Sequence, residues 1–226
     1  MHDLPITVAA QTLVLCAERA LFDPARATLY IADAHFGKAA TFRARGLPVP
    51  HGTTGATLAR LDALIARHRP THLAFLGDLL HAVEAQAANA QLRVWRARHP
   101  DLALTLIVGN HDRHAGMPDP SLGFALCEEP HRFGPFALCH HPQAVPDAYA
   151  LAGHLHPSFV IRGRGDRARL PCFRFGATSA VLPAFGAFTG GLDGAAEDDA
   201  IYVCADDRVI AVPRHTATSR TLRRLG

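Results

Sequence analysis

Five short polar clusters combine aspartate, asparagine and histidine, which are residue types that bind divalent metal ions and transfer protons. Histidine is also abundant: the 226-residue chain contains 15 of them, and imidazole is the commonest metal ligand near neutral pH. Mixed carboxylate, amide and imidazole ligands suit manganese, iron or zinc. The sequence therefore predicts a metal centre built from separate stretches: Asp33-Ala34-His35, Gly77-Asp78, Gly109-Asn110-His111-Asp112, His140-His141 and Gly153-His154-Leu155-His156.

Each cluster comes directly after a short apolar run of the kind that forms a buried strand. Loops at strand ends are where α/β folds place their functional sites, because a rigid sheet then holds several side chains in one region. We therefore expect the polar clusters to converge. The apolar runs are 27–32, 71–76, 102–108, 136–139 and 148–152.

The spacing within two of the clusters directs paired ligands toward the same place. In an extended chain, residues two apart point in the same direction. Asp33 and His35 can therefore reach one ion if the chain stays extended after the strand. His154 and His156 can do the same, or they can divide between two neighbouring ions.

Two further ligand types fit a pair of ions that faces an anionic substrate. The carboxylate of Asp78 can bridge two metals, and the amide of Asn110 supplies a neutral oxygen that limits the negative charge. A glycine precedes Asp78, Asn110 and His154, where it lets the backbone turn sharply in a crowded place. Any one cluster is common in ordinary loops, but all five in this order after strands indicate a metal site.

The segments between and after these clusters predict an α/β protein. Apolar residues recur at helical spacing in 53–69, while an Ala-rich stretch at 86–98 and a short basic stretch at 36–45 are also typical of helices. Strands and turns dominate the later part, with hairpins predicted in 160–175, around an Arg/Gly loop, and in 201–212. This order predicts two facing sheets with helices outside.

Length and composition predict one soluble domain that covers 1–226. Hydrophobic residues make up 49% of the chain, enough for a core, and the formal net charge of +3 gives no polycation signal. The five scattered cysteines, without a CxxC pair, argue against disulfides and a cysteine zinc site. Without a signal peptide or an apolar run of ~20 residues, we expect a cytoplasmic protein with no membrane partner. Arginines cluster locally at Arg162, Arg164, Arg167, Arg169 and Arg174.

The five clusters, in this order, resemble the blocks of the calcineurin-like metallophosphoesterase family: DxH, GD, GNHD, a histidine at a strand end, and GHxH. The resemblance spans roughly residues 27–160. It implies a four-layer αββα sandwich of two facing mixed sheets with outer helices. It also implies two divalent metal ions that hold a phosphate ester and activate the attacking water.

The same resemblance assigns roles by position in the family's blocks. His140 is preferred to His141 because the first residue after that strand carries the ligand in the family. His111 is no ligand by this match; it donates a proton to the leaving oxygen or contacts the phosphate, and Asp112 orients its ring. One ion would be held by Asp33, His35, Asp78 and His156, and the other by Asp78, Asn110, His140 and His154.

Three longer stretches match a narrower group. They are IADAHFGK at 31–38, RGLPVP at 45–50 and LPAFGAFTGG at 182–191, and they resemble bacterial ligase-associated DNA-damage-response phosphoesterases. That resemblance implies a manganese-dependent phosphodiesterase or endonuclease that acts on DNA during repair, in functional association with a DNA ligase and a helicase. Iron and zinc are the alternatives to manganese.

Aromatic and basic residues directly after the first cluster could line a groove for a nucleic-acid strand. Phe36 would stack on a base, while Lys38, Arg43 and Arg45 would contact phosphates. The alternative is an ordinary amphipathic helix. His81, which follows the second cluster, lies either near the substrate or at the surface.

Two other functions fit the same clusters. One is hydrolysis of a small nucleotide or a nucleotide-linked substrate within the same family, and the other is a non-catalytic scaffold that keeps the fold. The second block lacks the GDxVDRG of serine/threonine phosphatases, which argues against a phosphoprotein substrate. Every ligand position is filled, which argues against the scaffold.

Overall fold

Two mixed β-sheets face each other and share an apolar core. They are seen in a computed structural model of the chain, which describes residues 3–44, 46–49, 52–82, 85, 88–162, 167–186, 191–193 and 198–213. Helices cover the outer face of the first sheet. The polar clusters of the sequence lie where strands of both sheets end.

The first sheet has seven strands in chain order: β1 (Leu4–Val8), β2 (Gln11–Cys16), β3 (Ala20–Asp23), β4 (Thr28–Ile31), β5 (His72–Leu76), β6 (Ala103–Ile107) and β7 (Phe124–Cys127). Neighbours are antiparallel from β1 to β4 and parallel from β4 to β7. Because parallel strands point the same way, β4, β5 and β6 end at one edge. The turn between β2 and β3 reaches this edge too, since Leu21 pairs with Tyr30 near the end of β4.

The second sheet has nine strands. Its main path runs β14 (Leu192–Asp193), β11 (Pro157–Arg162), β12 (Arg167–Phe175), β13 (Ser179–Val181), β10 (Tyr149–Ala152), β9 (Phe136–Leu138) and β8 (His131–Phe133). The hairpin of β15 (Ala200–Ala205) and β16 (Arg208–Ala211) pairs with β12. Since β9 and β10 are parallel, the segments that follow them start at the same edge.

The described residues form four α-helices: α1 (Lys38–Ala44), α2 (Thr53–His68), α3 (Ala88–Arg98) and α4 (Asn110–Ala115), with 3-10 helices at Pro24–Arg26 and Pro120–Leu122. Leu58, Leu61 and Leu64 lie on one face of α2 and are buried against the first sheet. Leu92 and Trp95 of α3 join the same core. Burial of each such side chain stabilises the fold by roughly 1.5–3 kcal/mol.

Alternating residues in the central strands serve two cores. Leu29 and Ile31 of β4 pack against the helices, whereas Tyr30 and Ala32 pack against the second sheet. A strand that is buried on both faces reads as a continuous apolar run. This double burial explains why the runs before the polar clusters are so conspicuous in the sequence.

The predicted fold class, an α/β sandwich of two facing mixed sheets with outer helices, is confirmed. The predicted helices correspond to α1, α2 and α3, and the predicted hairpins to β11–β12 and β15–β16. Helices α2, α3 and α4 pack against the first sheet, so the described residues show outer helices of the αββα arrangement on that side. No prediction covers strands β1–β3, β7, β8, β13 or β14; of these, β1, β7, β8 and β14 stand at the ends of the two strand orders. Among the described residues, no helix is both long and apolar enough to span a bilayer.

Candidate metal centre

Seven side chains from both sheets converge between the facing sheet edges, and we call this set the candidate metal centre. The first sheet supplies four of them from the segments after β4, β5 and β6, and the second sheet supplies three from the segments after β9 and β10. The members are Asp33, His35, Asp78, Asn110, His140, His154 and His156.

One half of the centre consists of Asp33, His35 and His156. Their ligand atoms all lie within 4.8 Å of one another. The Nε2 atoms of His35 and His156 are 3.3 Å apart, and His156 Nε2 is 3.5 Å from Asp33 Oδ1. A carboxylate oxygen and two imidazole nitrogens at this spacing can bind one divalent cation.

The other half surrounds His140 Nε2. This atom lies 2.9 Å from Asn110 Oδ1, 3.1 Å from His154 Nδ1 and 3.5 Å from Asp78 Oδ1. Asp78 stands between the halves, because its Oδ2 atom is 3.9 Å from His35 Nε2. The carboxylate thus presents one oxygen to each half, as a bridging ligand would.

The half of the centre around His140 Nε2 contains more hydrogen-bond acceptors than donors. His140 Nδ1 lies 3.1 Å from the carbonyl oxygen of Leu76, which only accepts, so Nδ1 carries the ring proton. In the neutral ring, Nε2 therefore presents a lone pair. That lone pair faces the acceptor oxygens of Asn110 and Asp78. His154 Nδ1, 3.1 Å away, could donate to this lone pair; with the His154 proton on Nε2 instead, the converging acceptors fit a bound cation.

An unpartnered buried oxygen in the first half leads to the same conclusion. Asp33 Oδ1 is buried and has no hydrogen-bond partner among the described atoms, and a buried polar atom without a partner calls for a specific explanation such as a bound ion. Burial lowers the pKa of His35 far below its usual range. Burial also lowers the pKa of His154, with help from His140 and His141. Neutral imidazoles are the form that binds metals, so the residues present fit divalent cations.

Most of these residues have left-handed backbone, which is uncommon outside glycine. The prediction that Asp33 and His35 reach one ion from an extended chain is therefore wrong in its premise. Hydrogen bonds between distant segments of the chain hold the observed conformation. His35 N donates to Asp78 O at 2.9 Å, and His154 N donates to Asp33 Oδ2 at 2.9 Å. Positive φ angles occur at Asp33 (50°), His35 (44°), Asp78 (51°), His154 (67°) and His156 (46°).

The glycines before the ligands make room for them. A Cβ on Gly109 would lie 2.4 Å from Asp78 Oδ1, and one on Gly153 would lie 2.6 Å from Asp33 Oδ2. A sharp turn was expected at Gly77, Gly109 and Gly153. Of these three glycines, only Gly77 has a positive φ, of +84°. Close approach of side chains, more than backbone freedom, explains glycine at the other two positions.

His140 and His141 are held differently, and the carboxylate of Glu129 separates their positions. Glu129 Oε2 accepts the backbone N–H groups of both histidines at 2.7 and 2.8 Å. Its Oε1 atom lies 2.6 Å from His141 Nδ1, and the His141 side chain is 46% exposed at the rim. The His140 ring instead points into the centre and is fully buried. Sequence reasoning missed Glu129, which lies far from the ligand clusters and carries no motif.

Asp112 does not orient the His111 ring as expected. Its Oδ1 atom accepts the backbone N–H groups of Leu79 and Leu80 at 2.8 and 3.3 Å, and its Oδ2 accepts that of Gly109 at 3.0 Å. Burial raises the pKa of this carboxyl, although the three N–H groups oppose the shift. Asp112 therefore ties the loop after β5 to the start of α4 and positions Asp78 and Asn110 indirectly.

His111 lies beside the centre, and a hydrogen bond at its Nδ1 atom fixes the orientation of its ring. Its Nδ1 atom is 2.8 Å from the carbonyl oxygen of His81, so Nδ1 carries a proton. The ring centroid is 5.1 Å from that of His35 and 5.0 Å from that of His81, with which it stacks. The structure thus brings His81 close to the centre, which favours the first of its two predicted locations.

The residues predicted to line a nucleic-acid groove have different environments. Phe36 is 2% exposed and packs in the outer core, so the base stacking expected of it is wrong. Lys38 Nζ lies 5.9 Å from the ring centroid of Phe42, and Phe42 packs edge-on against His81. Arg43 donates to the carbonyl oxygen of Val49 at 3.4 Å. Arg45 lies outside the described residues.

Among proteins of known structure, a bacterial nuclease is similar to this chain. No family model matches the chain, and no match is found among curated proteins. The chain is similar to the crystal structure of the Pseudomonas putida nuclease MPE, with 44% sequence identity and a TM-score of 0.84. The match covers 93% of this chain and 100% of that chain, so the similarity extends over most of both chains.

Proposed function

The chain belongs to the metallophosphoesterase family of the Pseudomonas putida nuclease MPE, and on that premise we propose that it is a metal-dependent phosphodiesterase that cleaves DNA strands. The convergence of the seven side chains, with a buried Asp33 oxygen that has no hydrogen-bond partner among the described atoms, carries the proposal. The designation of MPE as a nuclease supports a nucleic-acid substrate. The resemblance to the ligase-associated group supports a role in DNA repair beside a ligase and a helicase.

Two divalent cations, with manganese as the first choice, would occupy the centre. Asp33, His35 and His156 would hold one, and Asn110, His140 and His154 the other, with Asp78 shared between them. Bound there, the ions would supply Lewis-acid stabilisation of a phosphoryl group and a water of lowered pKa. The set includes only two carboxylates, so the protein leaves the centre able to attract a phosphate.

His111 is suited to protonate the leaving oxygen. The hydrogen bond from its Nδ1 to the His81 carbonyl fixes the ring and leaves Nε2 as the exchangeable position. Its ring lies beside His35, at the border of the centre. A positioned acid of this kind accelerates loss of a poor leaving group by ~10²–10⁴-fold.

Lys38 supplies a positive charge beside the centre. Burial lowers the pKa of its ammonium group, while the carboxylates of Asp33 and Asp78 oppose the shift. Its position in α1, directly after the first ligand segment, suits a contact with a phosphate of the bound strand. Phe42 of the same helix offers a ring that is only partly buried and lies beside Lys38 and His81.

Manganese-dependent cleavage tests the proposal directly. Metal-stripped protein would be incubated with single-stranded, duplex and nicked DNA, a matched RNA and bis(p-nitrophenyl) phosphate, with manganese, iron(II), zinc or magnesium added separately. We expect turnover of the model diester and at least one DNA only after metal addition, with manganese most effective. Absence of turnover with every ion would contradict the proposal and favour the non-catalytic scaffold.

A further inference from the structure

A small cavity adjoins the candidate metal centre on the side of His156. It has a volume of about 100 Å³, and its polar lining comes from His156, Arg19, Ser158 and Arg169. We call it the arginine pocket. This volume has room for several water molecules or one tetrahedral anion. It lies outside the seven proposed ligands except for the shared His156.

Three separate segments build the arginine pocket. Arg19 occupies the turn between β2 and β3, which reaches the same edge of the first sheet as Asp33. In the second sheet Ser158 of β11 pairs with Pro171 of β12. Arg169 is two residues before Pro171, so both project from the same face of β12. The positive φ of Arg19, 72°, marks the tight turn that directs it there.

The charge in this pocket is not neutralised by the described protein. Among the described residues, neither Arg19 nor Arg169 forms an ion pair with a carboxylate. Arg19 Nη1 donates to the Ala184 carbonyl at 3.5 Å, and Arg169 Nη1 donates to the Gly191 carbonyl at 2.6 Å. Burial lowers the pKa of Arg19, which means that its guanidinium is held partly away from water without a counter-ion. Such a guanidinium favours a bound anion.

Ser158 provides an independent sign of a ligand. The residue is 8% exposed, and its Oγ atom has no hydrogen-bond partner among the described atoms. Buried hydroxyl groups are nearly always hydrogen-bonded, so an orphan deserves a specific explanation. An anion oxygen in the pocket that Ser158 lines would accept this hydroxyl proton.

We propose that the arginine pocket binds a second phosphate of the substrate strand, the one next to the phosphate that is cleaved. This inference rests on the proposed phosphodiesterase function, and it specifies a substrate with at least two phosphates in sequence. Guanidinium and hydroxyl donors recognise the charge and oxygens of a phosphodiester and read no base. The pocket therefore favours polynucleotides of any sequence over isolated diesters.

Short substrates test the proposal with manganese-loaded full-length protein. The measured quantity is the ratio of kcat/KM for the trinucleotide dTpdTpdT to that for the dinucleotide dTpdT. A third substrate carries a neutral methylphosphonate in place of the phosphate next to the cleaved one. Loss of a charge-assisted hydrogen bond weakens binding by about 10-fold or more, so the wild-type ratio should be of that size and should collapse toward one with the methylphosphonate.

Two variants and a control assign that ratio to the pocket. Ser158→Ala removes a hydroxyl without a protein partner, so the fold should be kept while the ratio falls. Arg169→Ala should lower the ratio further, and Arg169→Lys should restore part of it. Arg98→Ala removes an exposed arginine of α3 that pairs with Asp62, and it should leave the ratio unchanged.

The outcomes separate this inference from the proposed function. Hydrolysis of bis(p-nitrophenyl) phosphate reports on the metal centre with a single phosphate. Suppose that this diester is turned over, but the wild-type ratio of kcat/KM is near one or both pocket variants keep the wild-type ratio. The proposed role of the arginine pocket would then be refuted, while the proposed phosphodiesterase function would stand. Inhibition by free inorganic phosphate without discrimination against the neutral linkage would also overturn the role of the arginine pocket. No turnover of any diester would refute the proposed function and, with it, this inference.

Discussion

The two sheets contribute to the candidate metal centre in different ways. On the first-sheet side, Asp33, His35 and Asp78 are all buried, and backbone hydrogen bonds tie their loops to each other. On the second-sheet side, His154 and His156 are only partly buried. The second-sheet side is also held by the first: His140 Nδ1 bonds the Leu76 carbonyl, and His154 N bonds Asp33 Oδ2.

This difference indicates that the two sheets have different roles in the candidate metal centre. The first sheet provides a rigid frame in which each carboxylate uses one oxygen to accept a backbone N–H, from His154 or from His111. The other oxygen of Asp33 remains for a cation. The second-sheet histidines close this frame from the opposite side. Changes on the first-sheet side should therefore have the larger consequences.

Asp78→Asn should have the largest effect. The side chain keeps its shape and can still accept the His111 N–H through its amide oxygen, but the shared negative charge between the two halves is lost. Because a metal supplies several kcal/mol of transition-state stabilisation, kcat/KM should fall by about 10³-fold or more. Diester hydrolysis and manganese content would be measured together.

Asp207→Asn is the matched control for this substitution. Asp207 is exposed in the turn between β15 and β16 and pairs only with its neighbour Arg208 among the described residues. Its loss should change neither activity nor metal content. Equal activities of the Asp78 variant and the wild type would break the assignment of the first sheet as the frame.

His111→Ala separates proton transfer from metal binding on the same side. The ring contacts the His81 carbonyl and the neighbouring histidines, and it is outside the seven proposed ligands. Manganese content should therefore stay at the wild-type value, while cleavage of DNA, whose leaving group is an alkoxide, should fall by about 10²–10³-fold. A nitrophenyl ester needs no acid and should lose much less. Equal losses on both substrates would rule out the proton-donor role.

Sequence patterns predicted where the candidate ligands gather, because parallel strands end together and their double burial makes continuous apolar runs. They could not predict the backbone at Asp33 or His154. A residue other than glycine stays left-handed only when surrounding structure fixes it, and here the fixing bonds come from the other sheet. Local patterns therefore locate the centre, while its geometry depends on contacts between distant segments.

The residues that sequence reasoning assigned wrongly or missed have the same explanation. Phe36 follows a ligand block and resembles a stacking residue, yet it continues the apolar packing of β4 into the outer core. Asp112 is next to His111 in the chain, but helix geometry turns its carboxylate back to Gly109. Glu129 and Ser158 lie in segments without motifs, and only the folded chain brings them to the site.

Glu129→Gln tests whether the second-sheet side has a support of its own. The carboxylate accepts the N–H groups of His140 and His141 and holds the His141 ring. Residues that orient metal ligands typically affect metal affinity by ~10–100-fold, and we expect weakening in this range by calorimetric titration with manganese. Glu128→Gln is the control, since its side chain is 70% exposed and pairs with Arg113 at the surface. If Glu129→Gln lost as much bound manganese as Asp78→Asn, the contrast between the first-sheet side and the second-sheet side would be contradicted.

Gly153→Ala should act through stability, and because the added methyl crowds the Asp33 carboxylate it should also weaken manganese binding. The added Cβ would lie 2.6 Å from Asp33 Oδ2 and 3.0 Å from the Leu76 carbonyl, at the junction of the two sheets. Overpacking of this kind typically costs about 1–3 kcal/mol, so the free energy of unfolding in urea should fall by that amount. Gly55→Ala is the matched control, because nothing lies within 4 Å of its Cβ in α2 and alanine stabilises a helix by up to about 1 kcal/mol. Opposite signs for the two substitutions would support a rigid junction, whereas a neutral Gly153→Ala would show that the second-sheet side can shift away from the frame.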